Sequence, residues 1–299
     1  MTATEPSTTE IAVNQNTERN LRLQMTKAHY YAAANAWHLT GAGLALALAL
    51  ASPLALLYWP DRGPLLGAVA GTWIFATRLL LDPLSQVYQA RGASAQEEFD
   101  CAVLGLDWNL ALVKPLADEE VHTASRAFAR ENKAADRHRN WYPTDTFLSW
   151  PTSVLTCQRS NAVWARRQHH AYGVFLLSVA LVWMVFGIVL ALTQDSSLAA
   201  YLTTIALPSL PALLDATETA RKHLRASARR KRLERTVDDL IHSRCGHESL
   251  REVQDQIFEL RRSAPQVAGW FYRVIRPRYE QDMQYAAAQQ RQGGADQHA

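Results

Sequence analysis

Three cysteines in 299 residues, Cys101, Cys157 and Cys245, are too few and too scattered for a disulfide framework. The segments carrying them are expected in the cytosol, where thiols stay reduced. The chain also lacks a glycine-rich phosphate loop, a G-x-S-x-G turn and any paired C-x-x-C, so no catalytic constellation, cofactor or metal is implied. His169-His170 and Cys245 with His247 have no further ligands at metal-binding spacing, and an interfacial polar role suits the first pair better. Residues 1–24 have no early apolar core, which argues against a cleavable signal peptide. Charge of one sign is scarce as well: the net charge is +3, too mild to point to a nucleic-acid polymer.

The absence that decides the class is local. Tyr172–Thr193 holds no charged residue, and its apolar side chains point all round. Such a helix would be about 33 Å long at ~1.5 Å per residue, against a hydrocarbon core of about 30 Å. An amphipathic helix of a soluble protein would keep one polar face. This stretch is therefore read as a membrane span.

Three more apolar blocks follow the same logic. Gly41–Trp59 is uncharged, contains Pro53 and ends in the interfacial pair Tyr58-Trp59. A tight turn at Pro60-Asp61-Arg62-Gly63 leads into Pro64–Leu81, interrupted only by Arg78. After Gln194–Ser197 comes the shortest block, Leu198–Leu214, near the ~17-residue lower limit for a crossing. Its Pro208 and Pro211 remove backbone donors and leave the carbonyls of Thr204 and Leu207 without helical partners. In hydrocarbon those groups need a neighbouring helix, a hydroxyl such as that of Thr203, or water. The pore or gate candidates are thus Arg78, Thr203, Thr204, Pro208, Pro211 and Asp215. A snorkelling arginine and a simply packed kink are the plainer readings of the same residues.

The remaining segments are polar. Residues 1–17 are expected to be disordered and 18–40 to form a cytosolic or interfacial helix, before the hairpin of spans 1 and 2 at 41–81. The insert, 82–171, predicts an amphipathic helix over 97–112 through Phe99, Val103, Leu106 and Leu110, and a charged one over 119–138. After the second hairpin, 172–214, a basic helical segment at 215–285 begins with Arg221, Lys222, Arg225, Arg229 and Arg230, suited to anionic headgroups at about 1 kcal/mol each. Leu233, Val237 and Leu240, then Leu250, Val253, Ile257 and Leu260, repeat at heptad-like spacing and suggest helix packing, including between subunits. Residues 286–299 are expected to be a disordered tail.

The two short turns hold one basic residue between them, Arg62, so the positive-inside rule puts both termini and the insert in the cytoplasm. The fold class expected is an all-α membrane protein with four transmembrane helices. The insert between spans 2 and 3 and the C-terminal segment would form its cytosolic helical portion. In that insert Arg139, Trp141, Tyr142, Arg159, Asn161, Trp164, Arg166 and Arg167 combine the residue types that hold a phosphorylated, base-bearing ligand. Guanidinium groups take phosphates bidentately and indoles stack on bases. Aromatic residues at the interface and arginines on lipid phosphates would explain the same composition.

The succession EEFDCAVLGLDWN (97–109), NWYP (140–143), CQRSN with Trp164 (157–164) and IFELRRSAP…WFYRVIRPRYEQDM (257–283) resembles the SMODS-associated four-transmembrane pore-forming effectors of bacteria. The chain departs from that pattern at Ala165 and at Ala268-Gly269. The resemblance implies a non-enzymatic membrane effector of cyclic-oligonucleotide antiphage signalling, activated by a second messenger from a cognate nucleotidyltransferase and acting as a homo-oligomeric pore among membrane lipids. The alternatives are a non-conducting scaffold docking a soluble partner through its cytosolic helices, and a membrane-bound enzyme.

Overall fold

Polar helix and apolar span, expected as separate units, run on without a break. In the computed structural model, which describes residues 4–59, 62–131, 138–142, 144, 146–194, 197–243 and 245–275, the regular elements are all helical. Helix α1 is Thr8–Asn14, α2 Glu18–Tyr58, α3 Gly63–Ala76, α4 Asp82–Leu104, α5 Asp118–Glu131, α6 Thr152–Thr193, α7 Leu198–Tyr201, α8 Leu207–Ile241 and α9 His247–Ser263. With 41 and 42 residues, α2 and α6 are each about 60 Å long. That is roughly twice the hydrocarbon thickness. Residues 18–40 are thus the first half of one helix continuous with the apolar block rather than a separate one.

Among the described residues, two five-residue π-helical turns interrupt the apolar helices, Thr77–Leu81 between α3 and α4 and Leu202–Ala206 between α7 and α8. Each lies just ahead of a proline, Pro83 or Pro208, near the start of the next helix. A proline lacks the donor for the carbonyl four residues back and its ring crowds that carbonyl, so the preceding turn widens. The Asp82 and Leu207 amides instead reach back five residues, to the carbonyls of Thr77 and Leu202. Pro211 is accommodated inside α8.

Among the described residues, three helices are long and apolar enough to cross a membrane: Glu18–Ala51, Leu65–Leu104 and Thr152–Thr193. On α6 the apolar half is exposed all round, at Leu181, Val182, Val185, Phe186, Val189 and Leu192, as a lipid-facing helix would be. The block Leu198–Leu214 is helical, divided among α7, its π turn and the start of α8, and is not one of the three. α6 and α8 pack along each other. At Gly173 a Cβ would meet Leu224 at 3.0 Å and the Ala220 carbonyl at 3.1 Å, so the missing side chain sets that approach.

The expected helix over 97–112 stops at Leu104, because Gly105 adopts a left-handed φ of 66° and caps it on the Cys101 carbonyl. Leu106 remains buried beyond the cap, but Leu110 is 70% exposed. The second helix of the insert ends at Glu131. Residues 4–17, expected to be disordered, are tied down. Ser7 and Glu10 form a capping box, Ile11 is fully buried, and the Thr4 amide donates to the Gly105 carbonyl over 3.0 Å. Leu233, Val237, Leu250, Val253 and Ile257 pack into one core with Phe99, Val103, Leu155 and Cys157. Their heptad-like spacing therefore serves packing inside the chain.

The turn residues Pro60, Asp61, Asp195 and Ser196, residue 143 of NWYP, the end of the predicted helix at 132–137 and the tail from 276 lie outside the described residues, as do the side chains of Thr204 and Pro208.

Candidate functional site

The motif segments meet at a buried carboxylate. Asp100, on α4, is wholly buried. It accepts from the Tyr142 hydroxyl at 2.6 Å, from Gln254 Nε2 at 2.9 Å and from Arg261 Nη1 at 2.5 Å. Asn161 Nδ2 donates to the same Tyr142 hydroxyl at 2.9 Å. One turn earlier on α4, Glu97 takes Gln254 Nε2 at 2.8 Å and pairs with Arg251. Burial, then the Asp100 charge, pushes the Tyr142 phenol well above its usual pKa, so it stays a donor. Removing one partner of such a buried pair costs about 3–5 kcal/mol. These side chains hold α4, α6, α9 and the NWYP loop together, and Tyr142 and Asn161 are engaged within that network.

The other candidates fall into two groups. Arg159 Nε lies 2.5 Å from Asp238 Oδ1, with Glu234 at 3.5 Å, and Arg166 Nε is 2.8 Å from Glu234 Oε2 as a charge pair not aligned for hydrogen bonding. Both arginines therefore face acids on α8. Trp141 lies beneath Lys27 Nζ at 3.5 Å from the ring centroid, and Trp164 meets Tyr272 edge-on at 6.4 Å. Arg139 sits in the exposed loop before Trp141, and Arg167 is one position, about 100° of helix, beyond Arg166.

The gate candidates are more closely placed. Arg78 Nη2 meets Asp215 Oδ1 at 2.6 Å and Glu218 Oε2 at 3.4 Å, while Nη1 meets Asp82 at 3.3 Å. Arg78 belongs to the first π turn, and Asp215 lies one turn beyond Pro211 on α8. The Thr203 hydroxyl, in the second π turn, donates to the Ala199 carbonyl at 2.8 Å. A cavity of about 750 Å³ opens where α2, the α3–α4 junction, α8 and the segment after α9 meet, and Thr77, Arg78, Pro211 and Asp215 line it. Arg78 and Asp215 are about two-fifths exposed, so their attraction contributes about 0–1 kcal/mol.

The family model described as SMODS-associating 4TM effector domain matches residues 9–290. The chain belongs to that family. It is similar to a Bacillus cereus (strain VD146) protein named a probable CBASS effector molecule, 24% identical over 256 residues, covering 82% of this chain and 85% of that one. No solved structure matches it.

In this 4TM effector the sequence reading missed a second buried polar pair. His169 Nδ1 and His223 Nδ1 are 2.8 Å apart between α6 and α8, with Tyr172 edge-on to His223 at 4.8 Å between centroids. At that distance one nitrogen carries a proton and the other accepts it, so the two rings cannot both be imidazolium. Burial first, then the nearby His38 and Arg230, lowers His223 to about 3, against a smaller opposing hydrogen bond with the Gln266 backbone. His169 was visible in sequence as a histidine before a span, whereas His223 lay among eight basic neighbours with nothing to single it out.

Proposed function

We propose that this protein is a four-span inner-membrane effector of cyclic-oligonucleotide antiphage defence that assembles into a pore once activated. It has both termini in the cytoplasm and performs no catalysis. Family membership supports the defence role. The observation that carries the pore reading is the Arg78–Asp215 contact, which joins the first π turn to α8 one turn beyond Pro211, in the lining of the cavity. A pair worth so little is cheap to break, as a gate requires. When it opens, charge no longer ties α3–α4 to α8, and the polar lining of the first π turn becomes available to water. Second-messenger binding drives the change only through tighter affinity for the open state.

The test is membrane potential in cells carrying the effector with its cognate nucleotidyltransferase. Activation is expected to depolarise wild-type cells and stop growth. Arg78→Gln should raise basal depolarisation several-fold with insertion unchanged. Wild-type cells that stop growing while keeping their potential would replace the pore with a non-conducting scaffold.

A further inference from the structure

One wall of the cavity holds positive charge that no carboxylate among the described residues neutralises. Arg230 is 4% exposed, and its guanidinium donates to main-chain oxygens, Leu260 at 2.9 Å and Ala226 at 3.3 Å. Among the described residues no carboxylate pairs with it. Burial, then repulsion from Arg261, lowers its pKa to about 10, which leaves it charged at neutral pH. A buried cation without an anion is costly. Arg225 and Arg229, one turn apart on α8, line the same cavity and make no hydrogen bond or ion pair among the described residues.

The rest of the lining sharpens the ligand class. Six basic side chains face two carboxylates, Asp82 and Asp215, and both carboxylates are already taken by Arg78. Lys222 and Arg262 are held by Glu218 and Glu259. The demand for negative charge therefore falls on Arg225, Arg229 and Arg230. Toward the membrane the wall turns apolar, through Ala45, Leu48 and Ile74. At about 750 Å³ the space far exceeds an inorganic ion and suits an organic ligand. Planar guanidinium forks favour phosphate oxygens over single-point anions.

We propose that this cavity binds a phosphodiester-bearing amphiphile, with Arg225, Arg229 and Arg230 on the phosphates and the apolar wall against the remainder. Two sources share that chemistry, an anionic phospholipid headgroup and a cyclic oligonucleotide. The second rests on the effector reading above, the first does not. Either would sit beside Arg78 and compete with Asp215 for its guanidinium, which ties occupancy to the gate pair.

The experiment uses the full chain in nanodiscs. In neutral phosphatidylcholine discs, cyclic di-AMP, 3′,3′-cyclic GMP–AMP and cyclic tri-AMP are titrated by thermophoresis. In a second arm, discs include phosphatidylglycerol, and lipid retained after delipidation is read by native mass spectrometry. Arg225 and Arg229 are not buried, so R225A/R229A should fold. It is expected to weaken binding of whichever source binds wild type by roughly ten- to a hundredfold for each guanidinium removed. R232A/R235A, which removes two exposed arginines outside the cavity, should leave binding unchanged. Nucleotide binding in neutral discs assigns the soluble source, and selective phosphatidylglycerol retention assigns the lipid. Equal binding by wild type and R225A/R229A, or no binding in either arm, overturns the site. Loss of the depolarising activity in cells with anion binding intact would instead count against the effector reading alone.

Discussion

A buried ionisable side chain shows its worth only through its partners, and Asp100 and His223 behave oppositely. Asp100 is surrounded by donors from other segments of the chain. The residues that carried the family resemblance, Glu97, Asp100, Tyr142, Asn161 and Arg261, were legible as motifs, but their convergence on one carboxylate was not. Convergence depends on where α4, α6 and α9 cross, which no local spacing encodes. His223 is the opposite case, a base kept neutral by its surroundings. Its pKa is about 3 in the fold against ~6.5 when unfolded. A histidine depressed in this way stabilises the protein above the unfolded value and loses that contribution as pH falls toward the folded one. The loss is at most about 1.4 kcal/mol per pH unit below ~6.5. Thermal unfolding in detergent should therefore show wild type losing up to ~2 kcal/mol between pH 7 and pH 5. His223→Gln, which cannot gain the proton, should lose visibly less. Parallel losses in the two proteins would remove His223 from the account.

At the level of elements, hydropathy and helix geometry answer different questions. The apolar blocks of three candidate spans were legible because a run without charge has few other uses. Their true helical limits were not, because a helix continues across the membrane surface whenever its hydrogen bonds do, as α2 and α6 do. The distortion around Pro208 was expected, and it takes the form of a π turn at Leu202–Ala206. The matching turn at Thr77–Leu81 was hidden, because its proline, Pro83, stands beyond the apolar block, where hydropathy marks only the charge of Arg78. If the widened turn and the internal Pro211 give α8 its freedom to move, restoring the missing donors should stiffen it. Pro208→Leu with Pro211→Leu is expected to insert normally and to lower activated conductance in liposomes several-fold. Conductance equal to wild type would show that this helix only packs, and would shift the path to the α2–α3 side.

For the whole molecule, the long helices make topology and mechanism one question. A crossing by α2 and α6 leaves about half of each helix beyond the ~30 Å of hydrocarbon, on the side where the helical core assembles. That core joins residues of α1, α4, α6, α8 and α9, so these segments cannot sit on opposite faces of the membrane. Charge predicts the side. Arg221, Lys222, Arg225, Arg229 and Arg230 come within a few turns of the last apolar residue, whereas the short turns between spans hold only Arg62. Moving such a basic run outward opposes the positive-inside preference. A reporter fused after Ala299 or inserted at Asp118 should therefore read as cytoplasmic, and one at Asp61 or Asp195 as periplasmic. The Asp195 site is the most discriminating, since it separates a true crossing by Leu198–Leu214 from a helix that lies along α6 without emerging. A cytoplasmic reading there would leave three crossings or a re-entrant segment. If the reporter at Ala299 read as periplasmic, the cavity arginines would face away from the cytosol, and no messenger made inside the cell could reach them.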